Sequence, residues 1–341
     1  MTEKSPLPVD HPTIQASKIG VLLVNLGTPD APTAPAVKRY LAEFLSDTRI
    51  VDYPRAFWLP LLHGVILNVR PAKTAKVYEM VWHKETDESP LRFYTRRQAE
   101  NLAASFGDEL MIDWAMRYGN PSVASRLEHL KNEGCDRILV IPLYPQYSAT
   151  TSASVTDAVF ATMMKTRWQP AIRTAPAFHD HPLYIEALKA ITTTTLADLD
   201  WTPEKMVISF HGIPKRYFDE GDPYHCHCAK TARLLREAMG WTEEFAPLTF
   251  QSKFGREEWL GPATEETIVD YAKGGIKNIG VITPGFVADC IETLEEIDIV
   301  ARNAFEEAGG KKFTTISCLN DSPVINDLLK EIVQTETSGW R

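Results

Sequence analysis

GVLLVNLGTP, residues 20–29, is an apolar run of strand length that ends in a Gly-x-Pro turn, and KMVISFHGIP, residues 205–214, repeats the pattern. Runs that are continuously apolar rather than alternating fit strands covered on both faces, as in a parallel sheet sandwiched by helices. A second pair supports the match: GCDRILVIPLYPQYS (134–148) resembles GGIKNIGVITPGFVAD (274–289). The offset is about 185 residues for the first pair and about 141 for the second. The first half therefore holds about 44 extra residues between its opening strand and its third. The chain reads as two similar halves.

Short β-branched runs bounded by turn residues predict strands at 19–25, 111–116, 138–143, 206–210, 246–251 and 279–283. Helical periodicity falls at 34–45, 72–84, 94–106, 123–132, 182–193, 224–239, 264–272, 289–305 and 322–333. Strand–helix alternation implies βαβ units. The expected fold is α/β: two similar doubly wound parallel-sheet domains facing a central cleft. Residues 1–18 read as a loose arm, 19–175 as the N-terminal domain and 176–341 as the C-terminal domain. The insertion, at about 53–90, contains FWLPLLHGVILNV (57–69), an apolar lip carrying Phe57, Trp58, Leu61 and Leu62. Interrupted by Pro60, His63 and Gly64, it is shorter than the roughly 18 apolar residues of a membrane span. It suits a buried helix, a ligand-facing flap or a shallow membrane contact.

The 341 residues carry 36 Lys+Arg against 45 Asp+Glu, a net charge of −9, which argues against nucleic acid as a partner. A hydrophobic fraction of 44% and a charged fraction of 24% exclude a disordered chain. Five irregularly spaced Cys make no disulfide framework and fit a reducing cytoplasm. The polar N-terminus lacks the apolar core of a signal peptide.

In open α/β sheets ligands sit beyond the carboxyl ends of strands, and the sharp motifs fall there. No GxGxxG or GxxxxGK[ST] occurs, so nucleotide binding has little support. His211 ends the strand MVISF on a turn forced by Gly212 and Pro214, where an imidazole can ligate a metal or accept a proton. Glu292 follows the strand GVIT, with Glu296 four residues on and Glu295 and Asp298 nearby. That acidic stripe suits a divalent cation or protons. A capping box from Asp289 to Glu292 accounts for it equally well. Cys226 and Cys228, flanked by His225 and His227, are spaced too tightly for a zinc site and lack a second Cys pair. Arg70, Tyr78, Arg92, Arg96, Arg97, Arg117 and Tyr118 concentrate donors in the first half. Near an apolar flap, such a set suits a flat hydrophobic ligand with peripheral carboxylates.

LVNLGTPD (23–30), SPL (89–91), MRYGNP (116–121), PLYPQYS (142–148), SFHGIPKRYFDEGDPY (209–224), TFQSKFGREEWLGP (249–262) and PGFVADCIETLEEIDI (284–299) together resemble the ferrochelatases, most closely the proteobacterial branch. The resemblance runs in order from about residue 19 to 333. It implies two doubly wound domains around a porphyrin cleft and insertion of Fe2+ into protoporphyrin IX with release of two protons, the last step of haem synthesis. It assigns His211 and Glu292 to catalysis and the metal, with Glu296 behind them on a metal or proton path. Arg70 and Ser89 match positions for the porphyrin propionates, and Tyr78, Arg117 and Tyr118 match pocket-lining positions. No cofactor beyond substrate Fe2+ is expected. Animal members have a His just before I-E-T-L, where this chain has Cys290, and a C-terminal cysteine cluster for a [2Fe–2S] centre. Only Cys318 lies near that region here, so an iron–sulfur cluster is not expected. A cytoplasmic enzyme with peripheral membrane contact through the lip is the expectation. The competing readings are a chelatase for another metal, such as cobalt, a tetrapyrrole or metal carrier, and, more distantly, a nicotinamide oxidoreductase.

Overall fold

Val21, Leu22, Leu23 and Val24 are fully buried at four successive positions of β1 (Lys18–Thr28), so both faces of this strand are covered. β1 pairs in parallel with β2 (Met111–Gly119) on one side and β3 (Cys135–Pro142) on the other. β4 (Ala171–Thr174) extends the sheet beyond β3, giving the order β2-β1-β3-β4. The second sheet repeats this order with β5 (Lys205–His211), β6 (Leu248–Gln251), β7 (Asn278–Ile282) and β8 (Lys312–Ile316), arranged β6-β5-β7-β8. Here too all pairs are parallel. β1 corresponds to β5 and β3 to β7, the pairing seen in the two sequence repeats. The computed structural model describes residues 17–255 and 257–340, together with Asp10. Most of the expected arm at 1–18 therefore lies outside the described residues, as do Arg256 and Arg341.

The strands missing from the sequence reading are β4 and β8. Each lies at a sheet edge, and AIRT and KFTTI mix charged and hydroxyl residues with few apolar ones. The helices are α1 (Ala34–Ser46), α2 (Arg55–Leu61), α3 (Leu67–Val81), α4 (Pro90–Phe106), α5 (Val123–Asn132) and α6 (Ser154–Met163). In the second half follow α7 (Pro182–Ala197), α8 (Lys215–Asp219), α9 (Tyr224–Met239), α10 (Thr264–Lys273), α11 (Arg302–Glu307) and α12 (Pro323–Glu336). A π turn at Leu62–Ile66 joins α2 to α3 without a break. The 57–69 insertion is thus helical, although Pro60 and Pro71 each remove a backbone donor. The helix expected at 289–305 is wound as a π-helix over Glu292–Ala301 before α11 continues it.

One apolar core joins the two sheets. It contains Val21, Leu23, Leu139 and Ile141 from the first, and Met206, Ile208, Phe210, Ile282 and Ile316 from the second. Polar fasteners line its edge. Gln146, buried, donates to Thr231 Oγ1 at 3.0 Å and Pro284 O at 3.3 Å. Asp222 accepts from Ser148 Oγ at 2.9 Å and Ala149 N at 2.7 Å. Gln98 on α4 donates to Asn320 O at 2.6 Å. These bonds set both carboxyl-end loop clusters around the same space.

The connector between the halves is pinned by His179, whose ring stacks on His227 of α9 with centroids 3.7 Å apart and planes 6° apart. His227 Nδ1 accepts Tyr147 N at 3.2 Å, so this nitrogen is unprotonated. Asp180, which pairs with Lys230, is 3.9 Å from His179 Nδ1. Burial, then the neighbouring His227, lowers His179 from 6.5 to about 4, and burial lowers His227 as well. A depressed imidazole favours folding while neutral, so its contribution is complete above pH 6.5 and is lost as the pH falls towards 4. The wild type should therefore show a lower urea midpoint at pH 5 than at pH 7.5, and His179→Phe a smaller difference. An equal pH difference in both proteins would exclude His179 as its source.

Candidate active site

His211 is the last residue of β5, in register with Gln251 on β6. Gly212 brings its backbone to 2.8 Å from the Gln251 carbonyl, and a Cβ there would meet the same oxygen at 2.8 Å. The HGIPK turn then zips onto the EEWLGP segment through Lys215 N to Glu258 O and Leu260 N to Ile213 O, at 2.8 and 3.0 Å. This docking explains why the two sequence motifs occur together. His211 Nδ1 lies 2.6 Å from the Gly212 carbonyl, which can only accept, so Nδ1 carries the proton. Nε2 is left with a lone pair, as a base or a metal ligand requires.

Glu292 opens the π-helix, and the structure decides between its two sequence readings. Thr293, rather than Glu292, closes the cap: its hydroxyl accepts Cys290 N at 3.1 Å and donates to Asp289 Oδ1 at 2.9 Å. Asp289 is locked in turn by Asn320, whose Nδ2 donates to Oδ2 at 2.7 Å. Glu292 is not a capping residue. Burial holds its carboxyl above the usual range, partly offset by a hydrogen bond from the Cys290 thiol and by His211 nearby. Gln251, in register with His211 on the neighbouring strand, bonds the Glu292 backbone and so brings the two segments side by side.

Gln251 anchors the start of the π-helix by donating to Glu292 O at 2.9 Å and Glu296 Oε2 at 3.3 Å. Ser252 holds Glu296 Oε2 at 2.6 Å. Burial raises the Glu295 carboxyl, and Glu296 and Glu292 raise it further. The acidic stripe therefore includes Glu292, Glu295 and Glu296. Asp298 is not part of it, because it pairs with Arg302 and accepts Thr315 Oγ1 at 2.8 Å. π-Helical winding is rare and concentrates at functional sites.

A narrow cleft of about 10 Å³ lies beside Glu292, lined among others by Thr28, Tyr40, Tyr78, Ser89 and Cys290. Ser89 also caps α4 by accepting Arg92 N at 3.2 Å. Burial, then Glu292, pushes the Tyr78 phenol above its ordinary range. Arg117 and Tyr118 differ from the expectation of free pocket donors. The Arg117 guanidinium bonds Asp47 at 2.6 Å and Ser154, and the fully buried Tyr118 hydroxyl bonds Asp47 at 2.7 Å. They form a closed network behind the cleft wall. Arg70 is exposed and lies 6.0 Å over the Phe254 ring, spanning from the lip to the other half. Of the lip residues, Phe57 is 65% exposed, whereas Leu62 is fully buried and Trp58 is buried, donating to Leu45 O at 2.7 Å. Trp58 and Leu62 anchor the lip; Val65 and Val69 join Phe57 on its outer surface. Cys226 is exposed and Cys228 buried, on different sides of α9.

Sequence reasoning missed Thr28, Tyr40, Gln251 and the cap residue Thr293. Thr28 and Gln251 sit inside quoted motifs, so the signal was there; Tyr40 lies on the buried face of α1 and carries none. A second cleft, of about 350 Å³, lies between Arg49 and Asp52 of the first half and Tyr217 and Asp222 of the second. Arg216 crosses beside it to Asp52 and holds Glu257 at 2.6 Å.

Residues 18–337 match the family model for ferrochelatase. The chain belongs to the ferrochelatase family. It is 55% identical to the ferrochelatase of Agrobacterium fabrum, with 99% of each chain covered. It is 54% identical to that of Rhizobium meliloti, covering 97% of this chain and 98% of the relative. Among solved structures, SirB from Bacillus subtilis with Fe3+ superposes with a TM-score of 0.56 at 12% identity, covering 95% and 97% of the two chains. SirB in complex with cobalt, a sirohydrochlorin chelatase from the subspecies spizizenii, gives 0.56 at 10% identity, covering 95% and 98%. At such identities the likeness shows the chelatase-like fold.

His211→Ala should lower iron insertion at least about 100-fold while the porphyrin still binds, as read by its absorption shift; full activity would remove His211 from the site. Glu292→Gln should slow metallation more than Glu292→Asp. Wild-type rates in both would leave Glu292 without a chemical role.

Proposed function

We infer that the protein inserts Fe2+ into a porphyrin between His211 and Glu292, the chelatase reaction of haem synthesis. Metallation exchanges two pyrrole N–H protons for one dication, so the site must hold the macrocycle, strip water from the ion and remove protons. The observation that carries this reading is the ferrochelatase family match over residues 18–337; a His211 whose Nδ1 meets the Gly212 carbonyl at 2.6 Å, leaving Nε2 for a proton or a metal, supports it. His211 accepts a pyrrole proton, and Glu292 meets the metal or relays protons to Glu296. Imidazole and carboxylate donors suit Fe2+ without holding it too tightly to hand on.

The cleft beside Glu292, about 10 Å³, is far smaller than an ordinary ligand pocket. Admitting a macrocycle requires the lip to move. A closed cleft that distorts the flat ring would expose its nitrogen lone pairs, with strain drawn from binding at the periphery. Tyr78 and Ser89 on the cleft wall and Arg70 at the lip support binding of a ring with peripheral carboxylates. The apolar lip favours protoporphyrin IX, with two carboxylates, over more polar porphyrins. No metal beyond substrate Fe2+ is needed for these steps.

Phe57, Val65 and Val69 are 65%, 53% and 71% exposed on one helical lip, a surface suited to shallow seating in a lipid headgroup region. No helix among the described residues is long and apolar enough to cross a membrane. The proposed setting is the cytoplasm, at a membrane surface.

Purified protein given protoporphyrin and anaerobic Fe2+ should convert the Soret band to that of haem, and faster than with coproporphyrin. Porphyrin binding without turnover would mark a carrier instead. Replacing Phe57, Val65 and Val69 together by Ser should reduce co-sedimentation with lipid vesicles; unchanged sedimentation would exclude the lip as the contact.

A further inference from the structure

Beneath Gln251 runs a chain of buried hydroxyls that the proposed reaction leaves unused. Ser209 on β5 is in register with Thr249 on β6, two residues before the His211–Gln251 pair. Thr264, the first residue of α10, meets both: its Oγ1 lies 2.7 Å from Ser209 Oγ and 2.8 Å from Thr249 Oγ1. Ser209, Thr249, Thr264 and Gln251 are each at most 4% exposed, so bulk water does not replace these partners. Ser209 Oγ donates to Gln251 Oε1 at 3.0 Å, which turns Gln251 Nε2 towards Glu292 O and Glu296 Oε2.

The chain has one polarity. The two ends of an amide are nearly alike in shape, so only their partners tell them apart, and each hydroxyl has a single proton to give. With the Ser209 proton on Gln251, Thr264 donates to Ser209 and Thr249 donates to Thr264, so every proton is used. Turned round, Ser209 would donate to Thr264 and Thr264 to Thr249, whose proton would meet no acceptor among the described residues. The Gln251 oxygen would then face the Glu292 carbonyl and the Glu296 carboxylate, acceptors both. Buried groups left unpaired in this way are costly. Ser252, next along the chain, joins the arrangement from a backbone φ of 66°, where side-chain-bearing residues are uncommon, and donates to Glu296 Oε2 at 2.6 Å. Such conformations cluster at functional sites.

We propose that Gln251 is a positioning residue for metallation: oriented by the Thr249–Thr264–Ser209 chain, it holds Glu292 and Glu296 at the spacing the reaction uses. The proposal rests on the reading that these two carboxylates serve the reaction. Gln251 acts through the Glu292 backbone and the Glu296 carboxylate. Its loss therefore lowers turnover rather than affinity for the porphyrin.

The test uses the full chain with protoporphyrin and anaerobic Fe2+. Gln251→Met keeps the length and fills the space but has neither a donor nor a carbonyl. It should lower kcat at least about tenfold and leave the KM for porphyrin unchanged. Wild-type kcat, as expected of a residue that only fills space, overturns the proposal, and so does a loss confined to KM. Hydrogen exchange of the backbone at 289–301, read by mass spectrometry without substrate, should be faster in Gln251→Met; unchanged exchange overturns the pinning. Ser209→Ala leaves Gln251 in place without the donor that directs it, and should lower kcat by a smaller factor. Wild-type kcat in Ser209→Ala overturns the orienting role of the hydroxyl chain, and it decides the matter by itself should Gln251→Met fail to fold. Wild-type rates in both Glu292→Gln and Glu296→Gln would instead defeat the functional reading, because the exchange measurement reports the pinning without turnover.

Discussion

Gln146 and Ser148, in the turn that ends the third strand of the first half, satisfy their polar groups on the second half. The Gln146 amide reaches Thr231 and Pro284, and Ser148 with Ala149 N meets the Asp222 carboxylate. A buried amide without these partners would forfeit hydrogen bonds it also cannot make to water. The two sheets are therefore held at one relative position, over a core that both share. Each sheet alone would present a row of loop residues at its carboxyl edge. Fastened together, they face each other, and a cleft exists.

The second constraint acts inside the cleft. A helix starting near Asp289 has backbone donors to satisfy. Thr293 and Asn320 attend to that turn with Asp289, so Glu292 is left for chemistry. Gln251 reaches across from the neighbouring strand and fixes both the Glu292 backbone and the Glu296 carboxylate. A half-buried carboxyl, a tautomerically fixed imidazole and a buried thiol lie on neighbouring segments, and among the described residues no ion pair neutralises Glu292. Such an arrangement is unfavourable for stability alone, which is why it points to a reaction.

Much of the fold was legible because hydrophobic continuity is a local property. The strands at 19–25 and 206–210 announce themselves, since burial on both faces leaves no polar position to blur the pattern. β4 and β8 escape for the converse reason: edge strands tolerate Arg, Lys and Thr. For the lip the sequence left a buried helix, a flap and a membrane contact open, because Pro60, His63 and Gly64 interrupt it; packing of Trp58, Leu62 and Tyr78 into one cluster keeps the segment helical.

The sequence by itself determined the two similar halves, the motif positions at strand ends, and His211 and Glu292 as the residues to watch. Each of these follows from order along the chain. Only the tertiary structure decided what each group is free to do, because that depends on which partners, near or distant in the chain, the fold brings within hydrogen-bond reach. Arg117 and Tyr118 read as donors for a ligand, yet Asp47 and Ser154 occupy them. Asp298 reads as part of an acidic path, yet Arg302 and Thr315 take it. Glu292 reads equally as a cap, and Thr293 releases it. Availability is a property of hydrogen-bond partners, and those partners are chosen by folding.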